Sequence, residues 1–180
     1  VKSGKSDLGA AGISYTEERA KEVSFTIDYA ESKQVIVVNK NSNITDASNL
    51  FGKVAVQLGT TADSYITENM PNIILVREKK FMAAIQDLKD NKVDAVVMDE
   101  LPAKKLITDN MKILDAPLTI DSYGIVVAKE NKELLDACNT VIEKMKSTGE
   151  IDKIILHHMG MDEEVNKKQN IFDRFYNSVI

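Results

Sequence analysis

Short apolar clusters alternate along the chain with longer stretches in which apolar residues recur every three or four positions. The short clusters are rich in β-branched residues and are flanked by polar ones, which is typical of buried strands. The longer stretches have the spacing of amphipathic helices. Strands that alternate with helices predict an α/β protein whose sheet is largely parallel.

The boundaries of these elements follow from the ends of each pattern. The predicted strands cover residues 34–39, 53–57, 72–76, 93–98, 112–114 and 123–128. The predicted helices cover residues 62–68, 79–90, 102–108, 131–147 and 150–158. Helical spacing also predicts which residues of three of these helices face the core. They are Phe81, Ile85 and Leu88 in 79–90, Leu134, Cys138, Val141 and Met145 in 131–147, and Ile151, Ile154 and Ile155 in 150–158.

Composition restricts the function classes. The chain has 180 residues, 43% of them hydrophobic and 28% charged, which is typical of a globular protein and excludes wholesale disorder. The net charge of −5 argues against a nucleic-acid partner. The one cysteine excludes an internal disulfide. No apolar run approaches the roughly 18 residues of a membrane span. Because the chain begins with Val1 and carries no signal peptide, we expect the mature part, or a piece, of a longer protein.

The first candidate site lies near the amino terminus. Thr16 is a suitable N-cap for a helix that begins with two glutamates, and Arg19 follows one turn later. Gly12 allows a ligand close to the backbone, and Ser14 offers a hydroxyl and an amide. Arg19 is therefore placed to bind a carboxylate through two parallel hydrogen bonds. The alternative, an exposed arginine on a capped helix, is the commoner case.

Two further candidates carry complementary charge preferences. The turn Gly59-Thr60-Thr61 joins a strand to a helix, where backbone amides attract anions, although a plain capped turn is the alternative. Asp99 stands at the carboxyl end of the strand over 93–98, which is where ligands of α/β sheets bind. Its carboxylate could bind an ammonium group, and the alternative is that it caps the following helix. An arginine, an amide-rich turn and an aspartate together match the two charges of an α-amino acid.

Other chemistry has little support. His157 and His158 are adjacent and point about 100° apart on a helix, so we expect no metal site. Cys138 lies on a core-facing stripe and is expected to pack there. No spacing supports nucleophilic catalysis, so we expect no cofactor and no enzyme activity.

At this point the sequence resembles a known family. The pattern G-I-S/T-x-T-x-E-R-x-K-x-V-x-F, followed by Y-x-x-S-x-Q, is similar to that of the solute-binding proteins of polar amino-acid ABC importers. Further similar segments follow in order: LFGKVAVQLGTTADSY, KVDAVVMDELPA and YGIVVAKENKELLDACNTVIEKMKSTGEIDKI. The resemblance covers about residues 2 to 160.

The resemblance implies an α/β fold of the periplasmic-binding-protein type II, in which two lobes with mostly parallel sheets are joined by two hinge strands and close on a ligand. The hinge strands would be 34–39 and 123–128. The implied division is 1–39 with 122–160 as the first lobe, 40–121 as the second lobe, and 161–180 as a linker or pre-membrane tail. The opening βαβα portion of the family's first lobe has no counterpart, so the first lobe is expected to be incomplete.

The resemblance also implies a set of ligand contacts: Gly12, Ser14, Arg19, Gln57, Thr60, Thr61, Met98 and Asp99. Arg19 would bind the ligand's α-carboxylate, assisted by the glycine, the serine and the two threonines. Asp99 would bind the α-amino group. Gln57 and Met98 would lie towards the ligand's side chain, and a polar ligand is favoured by Gln57.

The function implied is that of an extracytoplasmic receptor that delivers an amino acid to the membrane subunits of an importer. It would be periplasmic, or membrane-associated as a lipoprotein or a permease fusion, because NIFDRFYNSVI resembles the segment before a permease's first membrane helix. An amphipathic helix packed on its own lobe is the alternative for that segment. The alternative function is the sensor domain of a membrane histidine kinase.

Two departures from the family pattern modify these expectations. His158 precedes Met159-Gly160 where the family usually has a tryptophan, and we expect this to affect packing only. The incomplete first lobe would leave a sheet edge and apolar helix faces uncovered, and such surfaces promote association. We therefore expect the isolated chain to self-associate.

Overall fold

The computed structural model describes residues 1–160 and divides the chain into two compact units. Of these residues, 1–30 and 123–160 belong to unit 1, and Glu31–Ser122 form unit 2. The first boundary lies earlier than residue 39, because nearly all of the strand that includes residues 34–39 packs within unit 2. The identification of the units with the two lobes of the family stays a prediction, and residues 161–180 lie outside the described residues.

The described strands are β1 (Leu8–Ser14), β2 (Ser24–Phe25), β3 (Ala30–Asn39), β4 (Lys53–Gln57), β5 (Ile74–Glu78), β6 (Ala95–Asp99), β7 (Met111–Ile113) and β8 (Thr119–Val127). The helices are α1 (Glu17–Glu22), α2 (Thr61–Asn69), α3 (Phe81–Lys89), α4 (Glu100–Leu106), α5 (Lys132–Ser147) and α6 (Glu150–His158). A 3₁₀ turn covers Ala47–Asn49. Each strand and helix predicted from the hydrophobic pattern is confirmed, whereas β1 and β2 were not predicted.

The sheet of unit 2 has the strand order β3-β6-β4-β5, with β7 also paired to β3. The strand β4 runs parallel to β5 and to β6, and these strands are joined by the crossover helices α2 and α3. The strand β3 runs antiparallel to both β6 and β7. The sheet was predicted to be largely parallel, but among the strands of unit 2 described here parallel pairing is confined to those that helices connect.

Both faces of this sheet are buried, which explains why β3 reads as a continuous apolar run. We call one side the α3 face; its buried residues include Val35, Val37, Ala55, Val96, Met98, Ala84, Ile85 and Leu88. We call the other side the α2 face; its buried residues include Ile36, Val38, Val54, Val56, Ala95, Val97, Ala62 and Ile66. The strict alternation along β3 and β6 follows from the two-residue period of a strand.

In unit 1, β1 and β2 pair antiparallel with β8, and α5 and α6 follow it in the chain. Of the predicted stripe of α5, Leu134, Cys138 and Met145 are partly buried, whereas Val141 is exposed and its neighbour Ile142 is buried. The Asn139 side chain accepts a hydrogen bond from the Ile27 backbone N–H at 2.9 Å. In α6, Ile154 is likewise exposed, although Ile151 is buried as predicted.

The α3 face generates a prediction about stability. Leu88→Ala should lower the free energy of unfolding by about 2–5 kcal/mol, because it leaves a cavity where a completely buried side chain packs. Met82→Ala on the same helix is the matched control; its side chain is 69% exposed, and its effect should stay within about 0.5 kcal/mol. Urea denaturation of the two variants measures both values. Equal effects would contradict the packing described for α3.

Candidate functional site

The guanidinium of Arg19 is oriented by its own local structure. Thr16 caps α1 as predicted, because its hydroxyl oxygen accepts a hydrogen bond from the Arg19 backbone N–H at 3.1 Å. The side chain then turns back, and its Nη1 donates to the carbonyl oxygen of Ser14 at 2.8 Å. A guanidinium carries its five N–H donors in one plane, so this bond helps to fix the orientation of the whole group.

Gly12 lies at an irregularity of β1, where the register against β8 shifts between Gly9 and Ile13. Its φ is +59°, which an L-residue with a side chain rarely adopts. Its N–H donates to the hydroxyl oxygen of Tyr29 at 3.2 Å. The sequence analysis expected Gly12 to admit a ligand, and the structure adds that the backbone conformation itself calls for glycine.

The turn before α2 is fixed by side chains as well as by its backbone. Thr60 is the N-cap, and its hydroxyl oxygen accepts from the Asp63 N–H at 3.3 Å. The Gly59 N–H donates to Asp63 Oδ2 at 2.9 Å, and Gly59 has a φ of +78°. Thr60 therefore caps α2, as the capped-turn alternative expected. The Gly59 amide, which belongs to the predicted anion site, bonds to the Asp63 carboxylate of the same unit.

Asp63 was not predicted and holds this turn in place. Its carboxylate is mostly buried, and Oδ1 forms an ion pair with Arg77 Nε at 2.8 Å. Arg77 also donates from Nη2 to the hydroxyl of Thr67 at 2.8 Å. Together these bonds tie the beginning of α2 to the neighbouring strand β5. A positioned turn of this kind limits the conformations that Thr60 and Thr61 can adopt.

Asp99 occupies the N-cap position of α4, yet its side chain makes no capping hydrogen bond. Its Oδ1 instead accepts from Gln34 Nε2 at 2.7 Å and from Ser32 Oγ at 3.2 Å. Gln34 is the residue directly opposite Asp99 in the β3–β6 pair, so both side chains extend to the same face of the sheet. The side chain of Asp99 therefore does not cap α4, which was the alternative role expected for it.

A second carboxylate, Asp121, joins Asp99 through the same amide. Gln34 Nε2 also donates to Asp121 Oδ2 at 3.2 Å, and the Thr61 hydroxyl donates to the same oxygen. Thr119 Oγ1 donates to Asp121 Oδ1 at 3.3 Å. The sequence analysis named neither Gln34 nor Asp121. The motif Y-x-x-S-x-Q nevertheless carried a signal for Gln34, because its serine and glutamine are two positions apart and so lie on the same face of a strand.

The two residues expected near a ligand's side chain differ in burial. Met98 is fully buried on the α3 face, the side of β6 opposite to Asp99. We therefore revise its expected role from ligand contact to core packing. Gln57 ends β4 and is partly exposed, and its Nε2 donates to the Lys79 carbonyl oxygen at 3.2 Å. Its role towards a ligand stays a prediction.

Some chemistry finds no support in residues 1–160. Within this range, no group of three or more His, Cys, Asp or Glu side chains is arranged to hold a metal ion. The rings of His157 and His158 lie edge to face, with centroids 5.5 Å apart. The described part of the chain also contains no helix with the length and apolar character needed to cross a bilayer.

The α/β fold and the positions of Arg19 and Asp99 are typical of a ligand-binding protein. A comparison with models of protein families identifies the family. The model of the bacterial extracellular solute-binding proteins, family 3, matches residues 1–161. The chain therefore belongs to that family.

Named relatives support the assignment. ABC transporter arginine-binding protein 1 of Escherichia coli is 29% identical over 86% of this chain and 66% of its own length. The glutamine-binding protein GlnH of Bacillus subtilis is 32% identical over 86% of this chain and 58% of its own length. The chain thus spans less than two thirds of these curated relatives.

A solved structure shows the same fold. The amino-acid ABC transporter substrate-binding protein AbpA of Streptococcus pneumoniae, bound to L-arginine, superposes with a TM-score of 0.85. It is 32% identical, and the match covers 90% of this chain and 71% of that one. The type II binding-protein fold expected from the resemblance is confirmed.

The surroundings of Gly12 generate a prediction about pH. Burial raises the pKa of Tyr29 above its ordinary value of 10.0, and the hydrogen bond from Gly12 opposes this only in part. The folded state therefore favours the neutral phenol. Stability from this group is complete below pH 10 and is lost as the pH rises through the folded-state pKa. A titration of phenolate absorbance in wild type minus Tyr29→Phe should show one tyrosine that ionises above the usual pH. A difference curve centred at or below pH 10 would contradict this.

Proposed function

We propose that the protein is a receptor that binds an amino acid outside the cytoplasm and delivers it to the membrane subunits of an ABC importer. The observation that carries this proposal is the conformation of Asp99. A carboxylate at the first position of a helix would ordinarily cap that helix, but this one is held by Ser32 and Gln34 instead. Its hydrogen bonds keep an acceptor at the carboxyl end of a strand, where α/β proteins bind ligands.

In this proposal Arg19 binds the ligand's α-carboxylate. The bond from its Nη1 to the Ser14 carbonyl presets the plane of the guanidinium before a ligand arrives. A preset group loses less conformational entropy on binding than a mobile one, which increases affinity. The hydroxyl of Ser14 and the backbone at Gly12 lie on the same strand, and we propose them as further contacts.

Asp99 takes the opposite charge and binds the ligand's α-ammonium group. The hydrogen bonds from Ser32 and Gln34 to Oδ1 orient the carboxylate. Thr60 and Thr61 contribute at the start of α2, although the Gly59 amide and the Thr61 hydroxyl already bond to carboxylates of their own unit. Gln57 is proposed as a contact to the ligand's side chain.

The function requires an amino acid and permease subunits as partners, and a location outside the cytoplasm. The reported relatives are transporter binding proteins, which favours this function over a kinase sensor and over catalysis. Self-association stays a prediction. It is supported in unit 1 by three exposed apolar side chains, Leu8, Val141 and Ile154.

Arg19→Ala should weaken amino-acid binding severely. The variant loses a bidentate, charge-assisted contact, and a loss of about 100-fold in affinity is expected from bonds of this type. Lys21→Ala is the matched control, because it removes a positive charge from an exposed position of the same helix. Isothermal titration calorimetry of both variants measures the effect. An Arg19→Ala affinity within about threefold of wild type would rule out this role.

Asp99→Asn should weaken binding and leave the fold intact, because an amide is close in shape but does not balance an ammonium charge. Wild type should prefer an amino acid strongly over the same compound without its α-amino group. The variant should lose most of that preference. Calorimetry with both ligands, and thermal unfolding as a check on folding, gives the comparison. If the variant discriminated as well as wild type, Asp99 would not contact the ammonium.

A further inference from the structure

The turn that precedes α2 is held by the side chain of a residue inside the helix. One oxygen of the Asp63 carboxylate, Oδ2, accepts from the Gly59 N–H at 2.9 Å, and the Asp63 N–H donates to the Thr60 hydroxyl at 3.3 Å. The Thr60 hydroxyl donates to the Gln57 carbonyl oxygen at 2.8 Å. These bonds join the end of β4 to the first turn of α2, so the conformation of the segment between them depends on the position of Asp63.

The position of Asp63 depends on a cation from the neighbouring strand. The other carboxylate oxygen, Oδ1, forms an ion pair with Arg77 Nε at 2.8 Å, and Arg77 Nη2 donates to the Thr67 hydroxyl at 2.8 Å. That hydroxyl donates to the Asp63 carbonyl oxygen at 2.7 Å. Two bonds from one planar guanidinium fix its orientation. The carboxylate is therefore held at both oxygens, by Arg77 at one and by the turn at the other.

Strand alternation explains why Arg77 reaches α2. Leu75 packs on the α2 face of the sheet, and Arg77 lies two positions later on β5, so both side chains leave the strand on the same side. The side chain of Arg77 is 42% exposed, whereas that of Asp63 is 11% exposed. A carboxylate in a mostly buried environment is costly without a partner of opposite charge, and Arg77 supplies that partner.

An anionic ligand makes this ion pair relevant to binding. In the proposed function Thr60 and Thr61 assist in binding the α-carboxylate of an amino acid, and the Asp63 carboxylate is bonded to the residue just before them. Without a cation beside it, the charge of Asp63 would repel that ligand. We infer that Arg77 is a positioning residue for ligand binding, which orients Asp63 so that the turn keeps its shape and offsets the negative charge that Asp63 brings there. This inference rests on the proposed function, and it gives Arg77 a role without contact to the ligand.

Two variants separate this role from a general contribution to the fold. Arg77→Met removes the guanidinium and leaves the charge of Asp63, whereas the double variant Asp63→Asn with Arg77→Met removes both charges. The asparagine oxygen can still accept from the Gly59 N–H, so the turn keeps its bond. Arg77→Met should weaken amino-acid binding about tenfold, and the double variant should return the affinity to within about threefold of wild type. A residue that only stabilised the fold would show no such recovery.

The measurement is isothermal titration calorimetry of the full chain with L-arginine, with L-glutamine and, if neither binds, with the other common L-amino acids. Thermal unfolding shows whether each variant is folded. Lys92→Met is the matched control, because it removes a lysine that forms ion pairs with Asp87 and Asp90 at the end of α3. Its affinity should stay within about twofold of wild type.

Asp63→Asn alone covers the case in which Arg77→Met does not fold. It removes the negative charge and leaves Arg77 in place, so its affinity should stay within about threefold of wild type. A loss of about tenfold in this variant would overturn the inference, because the charge of Asp63 would then favour binding.

Two results for Arg77 would overturn the inference while amino-acid binding by wild type upheld the proposed function. One is a folded Arg77→Met variant with wild-type affinity. The other is an equal loss of affinity in Arg77→Met and in the double variant. Wild type that bound no amino acid would overturn the proposed function itself.

Discussion

The antiparallel pairing of β3 with β6 determines where Gln34 and Asp99 lie. Its register sets Gln34 opposite Asp99 and Val35 opposite Met98. Alternation then sends the polar pair to the α2 face and the apolar pair to the α3 face. A slip of one residue would exchange the two sets and place a carboxylate among the apolar side chains of the α3 face. The large apolar area on both faces makes such a slip costly, so the core itself fixes the position of Asp99.

The two units orient their charged groups by different physical means. In unit 1 a backbone carbonyl directs the guanidinium of Arg19, and the capped start of α1 supplies the helix that carries it. In unit 2 neutral side chains direct the carboxylates, and the ion pair between Asp63 and Arg77 steadies the turn that presents Thr61. Neutral donors and backbone carbonyls orient a charge without neutralising it.

Local patterns were sufficient for most of the fold and for part of the site. The β-branched runs predicted β3, β4 and β6, and Thr16 and Thr60 were recognisable as helix caps because capping depends on neighbouring residues alone. The pattern did not reveal β1, since its Leu-Gly-Ala-Ala-Gly beginning has low strand propensity and the strand depends on pairing with β8. It also misplaced Val141, which is exposed, whereas the next residue, Ile142, is buried.

The sequence by itself determined the order of elements, the family and the charged residues Arg19 and Asp99, because these follow from periodicity, capping and short motifs. The tertiary structure decided what those residues do. It showed that Asp99 is hydrogen-bonded to a residue 65 positions away, that Asp121 shares the same amide, and that Met98 belongs to the core. Hydrogen bonds between residues so far apart in the chain arise only when folding brings the elements that carry them together. No local pattern along the sequence carries that information.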